Sequence, residues 1–137
     1  MSIFNTFLLY AITAIVFFAI DLLWLGIVAK NLYDQHLGAL LLEKVNWAAA
    51  ILFYIIYIGG IQVFVLHPAI LVGTGLWKAA IMGGLLGFFA YSTFDLTSLA
   101  LFKGWSVTVV LIDILWGTFL TGAVAAVALW LARIYIR

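Results

Sequence analysis

Three aspartates, Asp21, Asp95 and Asp113, each sit inside a run of apolar residues. Asp95 has the densest polar company, with Tyr91, Ser92, Thr93, Thr97 and Ser98 around it between Ala90 and Ala100. Carboxylates surrounded by phenols and aliphatic hydroxyls can hold a proton, a cation or the polar head of an amphipathic molecule, and can act as general acids or bases. An aspartate near the centre of a membrane helix costs ~2.5–3.5 kcal/mol on insertion scales, so it is expected to face protein, water or a ligand instead of lipid. No lysine, arginine or histidine lies at a matching depth to pair with these acids. Protonation, water or a bound cation must then carry the charge. The candidate ligand- or ion-binding residues are Asp21, Asp95, Asp113, Tyr91, Ser92, Thr93, Ser98, Tyr54, Trp24 and Trp116. Trp24 and Trp116 each follow an aspartate by three residues, so each indole can either donate to a carboxylate or simply fill volume.

Other chemistries have little to work with. The chain has no cysteine, which removes disulfides, thiolate nucleophiles and cysteine metal sites. It has no Gly-rich phosphate loop, no His-x-x-x-His pair and no Ser-His-Asp set at one depth, so no cofactor and no metal are expected. His36 and His67 fall in connecting segments and read as surface residues. A net charge of +1 offers no basic patch for nucleic acid.

The elements that must position the aspartates are membrane helices. With 69% apolar and 8% charged residues, the chain is far from the composition of a soluble domain. Its 137 residues allow one domain, an all-α bundle of four transmembrane helices. The spans are expected at about Phe4–Ala29, Trp47–Leu66, Leu76–Leu101 and Val107–Ala132, each long enough for the roughly 20 residues a bilayer requires. The first run lacks a basic leader and is interrupted by Asp21, and it reads as a retained span. Lys30 to Asn46 mixes Lys30, Asp34, His36, Glu43 and Lys44 with leucines, which suggests a short amphipathic interfacial helix, an ordinary loop being the alternative. His67-Pro68 is expected to stop the second helix, Gly73 and Gly75 to allow the next turn, and Phe102 to Ser106 to form a tight hairpin. Trp47, Trp77, Trp105 and Trp130 fall near span ends, as interfacial tryptophans do.

Depth brings the acids together. At 1.5 Å per residue, Asp21 lies ~7 Å past the middle of its run, Asp95 roughly 10 Å past its middle and Asp113 roughly 10 Å before its own. The fourth helix runs opposite to the first and third, so all three acids share one half of the bilayer, with Tyr54 at a similar level. Spacings of three and four put Tyr10, Thr13, Phe17, Asp21 and Trp24 on one face of the first helix. The same spacings align Gly84, Gly87 or Phe88, Tyr91, Asp95 and Ser98 on the third, and Asp113, Gly117, Thr121 and Ala125 on the fourth. Tyr54 and Tyr57 supply the second. Gly83, Gly84 and Gly87 offer a thin surface for close helix approach.

A weak repeat relates the two halves. Asp21-Leu22 and Asp95-Leu96 both lead to a leucine, a small residue and a closing lysine, and Trp47 and Trp105 are each followed twelve residues later by Gly59 and Gly117. Two copies of a helical hairpin would be related by an axis along the membrane normal. Orientation is poorly marked, because Lys78, Arg133 and Arg137 on one side balance Lys30, Lys44 and Lys103 on the other. The free amino terminus tips the expectation towards both termini in the cytoplasm.

The motifs Asp21-Leu22-Leu23-Trp24-Leu25-Gly26, Asn46-Trp47-Ala48-Ala49-Ala50 with Phe53-Tyr54, Ala90 through Ala100, Gly104-Trp105 and Asp113-Ile114-Leu115-Trp116-Gly117 resemble the bacterial membrane proteins grouped as domain of unknown function 2177. The resemblance covers nearly the whole chain, with Ser98 departing from an expected asparagine. It implies a four-helix, multi-pass protein of the bacterial inner membrane and implies no activity. Three function classes stay open. The leading one is a module that binds or transports a proton, a cation or a small polar or amphipathic ligand, with a homodimer as one way to build a conducting form. The second is an enzyme using a carboxylate as general acid or base on a lipid or isoprenoid. The third is a structural or accessory subunit in which the polar groups only set helix register.

Overall fold

The computed structural model describes residues 1–41 and 44–136. Glu43 and Leu42, part of the expected interfacial segment, and Arg137 of the basic tail lie outside the described residues. Four helical stretches are long and apolar enough to cross a membrane, Ile3–Leu40, Trp47–Val72, Leu76–Leu101 and Val107–Tyr135. Lipid offers no partners to backbone N–H and C=O groups, so apolar runs of this length close their hydrogen bonds internally as helices.

The first stretch holds α1 (Ile3–Trp24), a π turn (Leu25–Ala29) and α2 (Lys30–Leu37) in continuous succession. The Ser2 hydroxyl caps α1 by accepting from the Asn5 amide at 3.1 Å. The short amphipathic helix expected after Ala29 is α2. Lys30, Asp34 and His36 are exposed along it, and Leu37 at its end is buried. It is a direct continuation of α1, and it packs on the fourth span. The π turn makes this placement workable. An unbroken α-helix would rotate the stripe that begins at Asp21 about 80° out of line by Ala29, and the wider turn takes up that offset.

The second stretch holds α3 (Trp47–Ile61), a π turn (Gln62–Leu66) and α4 (His67–Val72). Pro68 does not stop this helix. It follows directly on the π turn, whose wider backbone accommodates a residue that cannot donate to the helical ladder. Helical structure ends instead at Gly73, whose φ of 74° is the left-handed conformation that glycine adopts without strain. The remaining spans are α5 (Leu76–Leu101) and α6 (Val107–Tyr135). A turn through Gly104 joins them, and the Ser106 hydroxyl caps α6 by accepting from the Val109 amide at 3.3 Å.

Packing is uneven. α5 and α6 lie backbone to backbone: a Cβ added at Gly87 would stand 2.2 Å from the Gly117 carbonyl oxygen, and one at Gly83 2.7 Å from that of Thr121. α1 packs on α6 and less extensively on α3, while the π turn after α3 reaches both α5 and α6. The apolar core of Leu9, Phe17, Ile58, Ile61, Leu120, Val124 and Leu129 sits among α1, α3 and α6. Gly117 and Gly59, matched by the sequence repeat, differ here. The Tyr91 ring lies against Gly117, whereas a Cβ at Gly59 would meet nothing within 4 Å.

Candidate functional site

The inward stripes of three helices are buried in the bundle. Thr13, Phe17 and Asp21 on α1, Gly87, Asp95 and Ser98 on α5, and Asp113, Gly117 and Thr121 on α6 are all buried. Each acid meets different company. Asp21 accepts from the Tyr54 hydroxyl of α3 at 3.3 Å and from the Trp116 indole of α6 at 3.4 Å. Asp113 accepts from the Tyr33 hydroxyl of α2 at 2.6 Å. Asp95 is fully buried at 0% exposure beside Asp113 and the Trp105 indole, without a hydrogen bond of good geometry to any described residue. No cation among the described residues pairs with any of the three, since Lys30, Lys44, Lys78, Lys103 and Arg133 are all exposed.

The tryptophans divide their work. Trp24 and Trp116 stack with ring centroids 4.4 Å apart and planes 8° from parallel. Trp116 gives its N–H to Asp21 across the helix interface, while the Trp24 N–H is buried near Tyr33 without a hydrogen bond of good geometry among the described residues. Trp24 therefore packs, and does not bond a carboxylate. Trp105, expected at the membrane interface, is half-buried edge-on against Phe94 at 5.8 Å and lies close to Asp95.

The hydroxyls also divide. Ser98 is buried on the Asp95 face, one turn further along α5. Ser92 is half-buried with its Oγ unpartnered. Thr93 is exposed and returns its hydroxyl to the Phe89 carbonyl of its own helix at 2.6 Å, so it does not join the site. Thr97 bonds the Thr93 and Phe94 carbonyls in the same way.

Tyr91 leads from the acids to open space. Its ring is held against Gly117, where a Cβ would come within 2.2 Å of it, and meets Tyr57 edge-on at 6.1 Å. The Tyr57 hydroxyl is tied to Thr121 at 2.6 Å. A cavity of about 310 Å³ opens beside these rings, lined by Phe53 and Tyr57 of α3, Ala90, Tyr91 and Phe94 of α5, and Asp113 of α6. Phe53 and Phe94 are 45% and 56% exposed, which places them at the mouth on the surface that lipid would cover. The cavity is thus a lateral cleft between α3 and α5 with an aromatic lip and a carboxyl at its end. A larger groove of about 700 Å³ runs along the outside of α5 and α6 and has no titratable group among its lining residues.

Reading by sequence places Tyr57 on the inward face of the second helix but misses Tyr33, Phe53, Phe94 and Trp105 as neighbours of the acids or of the cavity. A signal for Tyr33 was present in the spacing of Ala29, Tyr33 and Leu37, which continues an inward stripe every fourth residue beyond Asp21.

Comparison with known proteins places this architecture in a group. The family model described as predicted membrane protein (DUF2177) matches residues 6–130, nearly all of the bundle. No curated protein and no solved structure matches the chain.

Proposed function

We propose that this chain, which belongs to the DUF2177 family of predicted membrane proteins, binds a small amphipathic molecule drawn sideways from the bilayer into the cleft between α3 and α5. The observation that carries this reading is the cavity of about 310 Å³, whose walls are Phe53, Tyr57, Ala90, Tyr91 and Phe94 and whose one acidic lining residue is Asp113. Its volume is at the lower end of the range for small-molecule sites, and its plan of apolar walls around one fixed polar group is the usual one for such sites. An apolar chain would lie along the aromatic walls and continue into lipid. The polar head would meet the Asp113 carboxyl, which Tyr33 orients from the other side through its 2.6 Å hydrogen bond.

A carboxylate enzyme acting on a lipid or isoprenoid draws support from the adjacent acids Asp95 and Asp113, because neighbouring carboxyls with different surroundings can serve as acid and base. Binding is favoured over that reading because Asp95 is completely buried behind Asp113 and is not among the cavity's lining residues. A general acid or base must reach the reacting atom within hydrogen-bond distance.

The test is to fill the cavity. Ala90 lines it and is half-buried, so Ala90→Trp places an indole where the ligand would lie. A spin-labelled dodecyl alcohol added to the purified protein in maltoside detergent should show an immobilised spectral fraction with the native chain and none with A90W. An equal immobilised fraction in both proteins would exclude the cleft as the binding site.

A further inference from the structure

We propose, building on the cleft as a binding site, that the head group it selects is a monovalent ammonium, quaternary or a protonated amine, held inside an aromatic cage over Asp113. Four rings from two helices face the cavity: Phe53 and Tyr57 from α3, Tyr91 and Phe94 from α5. Phe53 and Tyr57 stack at 5.4 Å with 19° between their planes, and Tyr57 and Tyr91 meet at 6.1 Å and 67°. The Phe53–Tyr57 stack and the steeply inclined Tyr91 border one space from two directions, and a cation within about 6 Å of an aromatic face is attracted by it. Hydrocarbon alone does not require that arrangement; leucines would fill the wall as well.

The charge balance points the same way. Asp113 lines the cavity, and behind it Asp95 is fully buried. Tyr33 satisfies one oxygen of Asp113, and Tyr54 and Trp116 bond Asp21, whereas Asp95 has only the Trp105 indole and Asp113 beside it and no cation among the described residues. A buried carboxyl pair that shares one proton keeps one negative charge, and a cation in the cavity beside Asp113 would balance it. An anionic head would be repelled, and a neutral hydroxyl would leave that charge unbalanced. The ring-lined walls favour an ammonium over a small metal ion, since hard cations want several oxygens at fixed distances and keep their water. An alkylammonium sheds hydration more readily and brings its own apolar tail.

The experiment compares dodecyltrimethylammonium with its uncharged isostere, in which carbon replaces the nitrogen, by equilibrium dialysis against the purified protein in maltoside detergent. The native chain should prefer the cation by about tenfold or more, the scale of a desolvated cation–π contact plus a carboxylate. Asp113→Asn should abolish that preference. Phe53→Leu, a change at the exposed lip that keeps volume and apolarity, should lower cation binding severalfold and leave the isostere unaffected. Adding phosphatidylcholine or phosphatidylethanolamine as competitor identifies the source of the head group: displacement assigns it to a bilayer lipid, and its absence to a single-chain amine. Equal affinity for cation and isostere, with both excluded by A90W, would overturn the ammonium assignment while leaving the cleft as an amphiphile site. Binding of neither would overturn both.

Discussion

Replacing Gly87 by alanine strikes the contact that holds the acids in register. Gly87 lies on α5 two turns before Asp95, and Gly117 lies on α6 one turn after Asp113. A Cβ at position 87 would stand 2.2 Å from the Gly117 carbonyl oxygen and 2.7 Å from the Thr121 Oγ. Ordinary contact begins at about 3.4 Å, so α5 and α6 must separate by about 1 Å. The nearest obstacle is backbone, which cannot rotate aside as a long side chain would. Overpacking of this kind costs ~1 to 3 kcal/mol, and the upper half of that range is expected here. Gly59→Ala is the matched control, because its Cβ meets nothing within 4 Å and alanine favours the helix. Thermal unfolding in maltoside detergent, followed by near-ultraviolet circular dichroism, should show a midpoint lowered by several degrees for G87A and unchanged or raised for G59A. Separation of the helices also loosens the Tyr91 ring from Gly117, so G87A should weaken amphiphile binding as well. Equal midpoints for the two variants would refute the backbone-to-backbone packing of α5 and α6.

Other contacts give independent expectations. Tyr33→Phe removes the hydroxyl that donates to Asp113 at 2.6 Å and leaves a buried acceptor unpaired, costing ~1 to 3 kcal/mol; amide exchange across α2 should quicken, and unchanged exchange would show that Tyr33 does not tether this helix. Trp116→Phe loses the 3.4 Å bond to Asp21 and part of the stack on Trp24, at a cost of about 1 kcal/mol, and the Trp24 emission should shift once its stacking partner is gone. Thr93→Val should change stability by less than about 0.5 kcal/mol and leave binding intact, since Thr93 is exposed and bonds only its own helix; a loss of binding would return it to the site.

The bundle was readable because each span is a long apolar run, and lipid permits such a run only one backbone solution. Helical rise alone is enough to expect Asp21, Asp95 and Asp113 at similar depth; all three are buried, with Asp95 beside Asp113 and Asp21 bonded to Tyr54 and Trp116. Thr93 was grouped with Asp95 by proximity in the chain. At 100° per residue, two residues place them on opposite sides of α5, whereas Tyr91 and Ser98, four before and three after Asp95, share its face. Tyr33 was hidden because its neighbours Lys30, Asp34 and His36 are charged or polar, so the segment read as a connection. Its role depends on a π turn that carries no composition signature. The same kind of turn let α3 continue past the point where Pro68 marked an end. The aromatic lip was out of reach for a different reason. Phe53 and Phe94 are common lipid-facing residues, and their pairing depends on how far α3 stands from α5, a packing property that no single helix carries.

The central claim is that an amphipathic molecule lodges between α3 and α5 with its head at Asp113. Its most direct test is to locate a bound chain by photolabelling the native protein in vesicles with an alkylammonium that bears a diazirine beside its head group, then mapping the modified residues by mass spectrometry. Labelling should concentrate on Phe53, Tyr57, Tyr91 and Phe94 and be lost in A90W. Labelling spread over the other exposed aromatics, Phe64, Phe88 and Phe119 among them, and unchanged in A90W, would contradict it.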